Sequence, residues 1–243
     1  MLILAIILGL LPGFAWLIFY FKEDLHPEPK KLVALVFIAG AGITLLAYIF
    51  QCISFKGFFP SEGCGLGLDA AIANSPVLKG ILLILVLAVI EEVLKFGAAY
   101  LVVNKSANFD EPVDAMIYPV VAALGFATVE NFAVAYQLLH TGGLNGEITS
   151  IVGAFRAISL RFTGATLLHA LTSGIVGYFW AKSIRNFEKK RMIFTGLILA
   201  TVLHAIFNYL IIEFDDRIYT ALFLIIIGFF VIADFEKLKR RKI

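Results

Sequence analysis

Glu91, Glu92 and Lys95 lie within one otherwise apolar segment, ILLILVLAVIEEVLKFGAAYLVV, and their types and spacing could do chemistry. In a helix with about 100° per residue, Lys95 lies about 40° from Glu91 and about 60° from Glu92, so it can pair with either carboxylate. One carboxylate would then be neutralised while the other stays available as a base. We expect Lys95 to tune the ionisation of both.

Further polar residues occur in three later apolar segments. GFATVENFAVAY contains Glu130 and Asn131, TLLHALTSG contains His169, and ATVLHAIFNYL contains His204 and Asn208, which share a helical face. Glu together with His can activate water, either with the carboxylate as general base or through a metal that both residues hold. The predicted catalytic residues are Glu91, Glu92, Lys95, Glu130, Asn131, His169, His204 and Asn208.

The depth of these residues predicts that they share one site. Three charged side chains near the centre of one apolar segment cost roughly 7 to 10 kcal/mol in a membrane, which the apolar residues of that segment only roughly offset. At a rise of about 1.5 Å per residue, four ionisable residues on different segments fall within about two helical turns of the midplane. These are Glu91, Glu130, His169 and His204. Because isolated charges in lipid are costly, we predict one water-accessible cavity.

The composition indicates that the elements which position these residues lie in lipid. The 243 residues are 60% hydrophobic and 16% charged, with a mean hydropathy of +0.93, whereas about a quarter of a soluble protein is charged. Continuous apolar runs favour helices over barrel strands. Runs long enough to cross a core of about 30 Å fall near residues 2–21, 32–54, 77–103, 114–139, 160–181, 192–212 and 217–235.

We therefore predict an all-α, polytopic transmembrane helical bundle of about seven spans, forming a single transmembrane domain over residues 1–243. A short re-entrant or interfacial helix near residues 146–158 would make eight. The lipid bilayer is the expected surrounding, and no nucleic-acid motif occurs. The oligomeric state is left open.

The distribution of basic residues predicts the orientation. The connections at 22–31, 105, 182–191 and 237–242 together carry fourteen lysines and arginines, whereas the opposite connections carry Lys56, Arg156 and Arg217. The positive-inside rule then places this multi-pass protein in the cell membrane with its N-terminus outside and its C-terminus in the cytoplasm. Cys52 and Cys64 fall on the outer side, where a disulfide or two unpaired thiols are both open.

Four motifs also carry a family resemblance. EEVLK resembles the EExxK signature of the PrsW family of bacterial intramembrane proteases, and GFATVEN, His169 and HAIFN resemble later motifs of that family in the same order. The CAAX-protease and bacteriocin-processing superfamily is similar. However, the basic residue here follows the second Glu by three positions rather than four, and Glu130 stands where CAAX enzymes have His. These departures favour PrsW.

The resemblance implies an intramembrane endopeptidase. Its substrate would be a single-span, membrane-anchored regulatory protein, such as an anti-sigma factor, cut on the outer side in a site-1-type cleavage. The alternative from another class is a proton- or ion-coupled transporter or channel that uses the Glu, Lys and His residues as a relay, since such relays also lie at the midplane. A scaffold that binds another protein's transmembrane helix is a weaker alternative.

The sequence leaves two versions of the hydrolytic site open. Zinc could be held by His169, His204 and either Glu91 or Glu130. No HExxH motif occurs, and Asn208 takes the second position of that spacing. Asn is a poor zinc ligand but a good donor to an oxyanion. We therefore favour a glutamic-type site without a cofactor, with zinc as the alternative.

Overall fold

The computed structural model describes residues 1–22, 26, 28–60, 64, 72, 75–141, 147–185, 189–214 and 216–239. Within these residues the regular structure is entirely helical, which confirms the predicted all-α bundle. Eight helices are described: α1 Leu2–Phe21, α2 Lys30–Phe58, α3 Val77–Val103, α4 Asp114–Thr141, α5 Glu147–Thr163, α6 Ala165–Arg185, α7 Lys189–Glu213 and α8 Ile218–Lys239.

Among the described residues, six stretches of helix are long and apolar enough to cross a membrane. Helix α3 is not among the six because Glu91, Glu92 and Lys95 interrupt its apolar run, but its 27 residues are long enough to span. Large apolar side chains cover the outside of the bundle, for example Leu45 and Phe229. Together these features are those of a multi-pass membrane protein with about seven crossings.

The fifth crossing differs from its predicted bounds. The prediction placed a helix at 160–181, whereas residues 160–163 belong to α5 and the next helix begins at Ala165. The Gly164 N–H donates to the Leu160 carbonyl at 2.9 Å, and the Leu168 N–H donates to the Gly164 carbonyl at 2.9 Å. Helices α5 and α6 are thus nearly continuous, and Ser150–Ile184 forms one candidate span of 35 residues.

The stretch near 146–158, predicted as a short re-entrant or interfacial helix, is therefore the helix that leads into the fifth crossing. Residue 146 itself lies outside the described residues. At about 1.5 Å per residue, 35 residues measure about 52 Å, longer than a bilayer core of about 30 Å. Such a span has to tilt or project beyond the core.

Helix α4 forms the centre of the bundle and packs against α1, α2, α3, α5 and α6. Every residue from 113 to 128 is buried, because small side chains let the neighbouring backbones approach closely. A methyl group at Gly125 would overlap the Phe37 carbonyl of α2, and one at Gly177 of α6 would overlap the Ala115 carbonyl of α4. Glycine at these two positions therefore permits backbone contact with α4 from two sides.

The two cysteines are joined. Cys52, near the end of α2, and Cys64 form a disulfide with their Cα atoms 5.3 Å apart. The bond answers the question that the sequence left open. It marks the end of the bundle at which α2 terminates and α3 begins.

Candidate active site

Four helices bring the predicted ionisable residues together inside the bundle. Helix α3 supplies Glu91, Glu92 and Lys95, α4 supplies Glu130, α6 supplies His169 and α7 supplies His204. All of these except Glu130 are buried, and Glu130 is partly buried. Side chains far apart in the sequence thus meet at one level, as their depths predicted.

Glu92 is the hub of this network. Its Oε1 accepts hydrogen bonds from Lys95 Nζ at 2.7 Å, His204 Nδ1 at 2.7 Å and Thr172 Oγ1 at 3.1 Å. The sequence allowed Lys95 to pair with either carboxylate, and the structure pairs it with Glu92. Because Glu92 is 1% exposed and its Oε1 is fully engaged, its geometry suits orienting other groups.

Glu91 is held differently. Its Oε1 accepts a hydrogen bond from Gln51 Nε2 at 2.7 Å, across from α2. Its Oε2 is buried, has no hydrogen-bond partner among the described residues, and lies 3.8 Å from His169 Nδ1 and 3.7 Å from His204 Nε2. One oxygen is therefore fixed while the other faces the two imidazoles.

His169 connects the two halves of the network. Lys95 Nζ donates to its Nδ1 at 2.8 Å, and its Nε2 donates to Glu130 Oε2 at 2.9 Å. A lysine ammonium can only donate, so this arrangement assigns the proton of neutral His169 to Nε2. Arg161 Nη2 also donates to Glu130 Oε2, at 2.9 Å. Glu130 thus has both an arginine and a histidine as partners.

The two predicted asparagines occupy different places. Asn131 is buried, accepts from Arg161 Nε at 2.5 Å, and donates to Thr166 Oγ1 at 3.0 Å, so it supports the arginine rather than facing the imidazoles. Arg161 lies near the end of α5, within the candidate span Ser150–Ile184 that forms the fifth crossing. Asn208 lines the same cavity as Glu91.

That cavity has a volume of about 300 Å³. Its polar lining comes from Gln51, Glu91, Glu130, Arg161, His169, His204 and Asn208. On α7 the lining continues to Ile212, next to the helix end at Glu213. The cavity therefore extends from the histidines toward the end of the bundle that carries the disulfide. Glu92 and Lys95 lie behind this lining.

One group of residues has the donor types of a zinc site. Glu91, His169 and His204 each offer a ligand atom, and these atoms lie within 4.8 Å of one another. The unpartnered Glu91 Oε2 and the His204 Nε2 suit a cation, and Glu92 orients His204 as a carboxylate does in many zinc sites. Lys95, however, occupies the Nδ1 lone pair of His169. The types of donor atom fit zinc, provided that the Lys95 ammonium moves away from His169 Nδ1.

Gln51, Thr172 and Thr166 also belong to this network but were not predicted from the sequence. Gln51 could have been found from the sequence. It is an amide within the second apolar run, where a residue that faces lipid would be apolar. Thr172 and Thr166 gave little signal, since threonine in a transmembrane helix commonly bonds to its own backbone. Thr172 does so as well, at 3.1 Å from the Leu168 carbonyl.

Comparison with known proteins points to one family. The model of the PrsW family of intramembrane metalloproteases matches residues 28–233. The Protease PrsW of Geobacillus kaustophilus is 28% identical over 238 residues, which cover 96% of this chain and 90% of that protein. The Protease PrsW of Bacillus subtilis is 26% identical and covers 94% of this chain and 93% of its own length.

The Protease PrsW of Clostridioides difficile is 26% identical over 86% of this chain and 79% of that protein. No solved structure matches the chain. The matched region contains all eight predicted catalytic residues, and every relative named above is a protease rather than a transporter. The chain therefore belongs to the PrsW family of intramembrane proteases.

Proposed function

We propose that this protease cleaves a single-span, membrane-anchored regulatory protein, of the anti-sigma-factor type, with a water molecule activated by Glu91. One observation carries the proposal: Glu91 Oε2 is buried, free of hydrogen bonds among the described residues, and lines a cavity beside two histidines. A carboxylate fixed through one oxygen has its other oxygen available to accept a proton. The whole chain would act as one transmembrane protease domain.

In the proposed step, Glu91 takes a proton from water and the hydroxide adds to the carbonyl carbon of the scissile peptide bond. Asn208 donates to the resulting oxyanion, whereas His169, whose two ring nitrogens are bonded to Lys95 and Glu130, holds the wall of the cavity in place. Protonated Glu91 then returns this proton to the leaving nitrogen, directly or by way of the neighbouring His204 Nε2, and the carbon–nitrogen bond breaks. The products are a carboxylic acid and an amine.

Glu92 and Lys95 have supporting roles in this proposal. Glu92 Oε1 bonds to His204 Nδ1 and so directs Nε2 of that ring toward Glu91. Lys95 bonds to His169 and to Glu92, and Glu92 bonds to His204, so the two α3 residues together tie both histidine helices to α3. Glu130 performs the same positioning for His169 from the opposite side, with Arg161 and Asn131 behind it.

The proposed cleavage takes place on the outer side. The disulfide supports an oxidising compartment at the end where α2 terminates, and the basic connections support cytoplasm at the other end. Of those connections, residues 23–25, 27, 186–188 and 240–242 lie outside the described residues. The N-terminus would then be outside and the C-terminus inside. Because the cavity extends toward the disulfide end, a substrate would reach Glu91 from outside.

The test is cleavage of tagged single-span proteins by the purified protein. Glu91→Gln should lower the rate by about 100- to 10,000-fold, the range expected for a general base, and Glu92→Gln should also lower it by disturbing His204. Glu213→Gln, which changes an exposed carboxylate of α7, is the matched control and should cleave normally. Wild-type rates in both Glu91→Gln and Glu92→Gln would refute the proposed roles.

A zinc-dependent mechanism is the second candidate, favoured by the grouping of Glu91, His169 and His204. When bound, zinc would supply Lewis-acid activation of water, and these three residues would hold it. The two candidates make opposite predictions for Lys95→Met. Loss of the ammonium frees His169 Nδ1, so zinc binding should tighten if the metal is native, whereas a metal-free site should simply lose activity.

Elemental analysis and chelation complete this comparison. Stoichiometric zinc in active protein, loss of activity on chelation and recovery on adding zinc would establish the second candidate. Full activity in protein that contains no zinc would establish the first. The same cleavage reporter serves for both.

A further inference from the structure

A second cluster of ionisable residues lies at the end of the bundle opposite the disulfide. Glu28 lies two residues before the start of α2, Asp110 lies in the connection between α3 and α4, and Asp114 is the first residue of α4. One carboxylate oxygen from each lies within 4.8 Å of the other two. The proposed proteolysis uses none of these residues.

Asp114 contains the informative atom of this cluster. Its Oδ2 accepts backbone N–H groups of Asp110 at 3.1 Å and Glu111 at 2.8 Å, as expected for an acid at a helix start. Its Oδ1 is fully buried and has no hydrogen-bond donor among the described residues, and the whole side chain is 0% exposed. Helix capping therefore explains one oxygen of Asp114 and leaves the other unexplained.

The surroundings of Glu28 bring like charges together. The Tyr118 hydroxyl donates to Glu28 Oε2, which fixes this carboxylate against α4. One carboxylate oxygen of Glu28 lies within 4.8 Å of one of Asp114. Two ionised carboxylates this close repel each other unless a proton or a cation lies between them. Asp110, which is exposed, adds a third carboxylate on the solvent side.

We propose that Glu28, Asp110 and Asp114 bind one hard divalent cation, of the calcium or magnesium class. The ligand atoms are all oxygens, which such cations prefer over the mixed nitrogen and oxygen donors of the membrane-buried site. A spread of up to 4.8 Å is close to twice a Ca–O distance of about 2.3 to 2.6 Å. The ion would join the connection before α2 to the start of α4.

The experiment uses the full-length protein in detergent after removal of metals with a chelator. Titration calorimetry with calcium chloride, and separately with magnesium chloride, should show saturable binding of one ion per chain. At a hundredfold excess over Kd, the midpoint of thermal unfolding should rise by roughly 5 to 10 °C. Asp114→Asn and Glu28→Gln should weaken binding at least tenfold.

Three further variants keep the result decisive. Asp110→Asn removes the exposed ligand and should weaken binding even if the buried substitutions prevent folding. Glu111→Gln neutralises an adjacent acid that pairs with His26 at 2.6 Å outside the cluster, and it should bind the cation as the wild type does. Glu91→Gln should also retain binding, because that residue belongs to the other site.

Two results would overturn the proposal. If the wild-type protein shows no saturable binding, and Asp114→Asn is as stable as the wild type or more so, a proton is shared between Glu28 and Asp114. If the cation binds equally well to Asp110→Asn, Glu28→Gln and Asp114→Asn, it binds elsewhere on the protein.

Discussion

Replacement of Gln51 tests whether the orientation of Glu91 matters for catalysis. Gln51→Leu keeps the approximate shape of the side chain but removes the N–H that donates to Glu91 Oε1 at 2.7 Å. A hydrogen bond to a charged group contributes about 1.5 to 3 kcal/mol. If this bond is needed to hold Oε2 toward the substrate, its loss should lower kcat by about 10- to 100-fold, at about 1.4 kcal/mol per tenfold.

The assay is cleavage of a tagged single-span substrate by purified protein, with kcat and KM measured separately. We expect KM to change little, since Gln51 acts through Glu91, and the midpoint of unfolding to remain near that of the wild type. Thr44→Val is the matched control, because it removes a buried side-chain hydrogen bond within the same helix, to the Gly40 carbonyl at 3.2 Å. Normal kcat in Gln51→Leu, or an equal loss in Thr44→Val, would refute the positioning role.

Two other predictions follow from the proposed site and orientation. Asn208→Ala should lower kcat by roughly 10- to 1,000-fold with little change in KM, as for other oxyanion donors, and an unchanged kcat would remove Asn208 from the mechanism. In a variant without reactive native thiols, a cysteine at the exposed Lys105 should react with an impermeant maleimide only after permeabilisation, whereas one at the exposed Asp216 should react in intact cells. The reverse pattern would invert the orientation.

The grouping of Glu91, Glu130, His169 and His204 was predictable because charges in lipid are costly. That cost forces ionisable residues from separate helices to one level, and depth can be counted along each apolar run. The pairing within the group was less predictable. The angular positions of the three residues around the helix allowed Lys95 to pair with either glutamate. The positions of His169 and His204 on neighbouring helices decide that its partner is Glu92.

Two features escaped prediction for different physical reasons. The fifth crossing was predicted to begin near residue 160 because the stretch before it is only mildly apolar, whereas one nearly continuous helix extends back to residue 147. The cluster of Glu28, Asp110 and Asp114 forms from two parts of the chain that are far apart in the sequence. A carboxylate is an ordinary choice outside an apolar run or at its first residue, so each of these acids looked like a solvated residue.

The glycine contacts of α4 restrict which parts of this protein can move during turnover. Sliding α4 by one residue past α2 would put Leu124 or Phe126 where only Gly125 allows the Phe37 carbonyl to approach. The contact of Gly177 with Ala115 restrains α4 against α6 in the same way. The helix that bears Glu130 is therefore a fixed frame, and the height of that carboxylate in the bilayer is set. Any gate that widens to receive a transmembrane substrate has to be formed by other walls of the cavity, such as the half of α7 that lies nearer the disulfide.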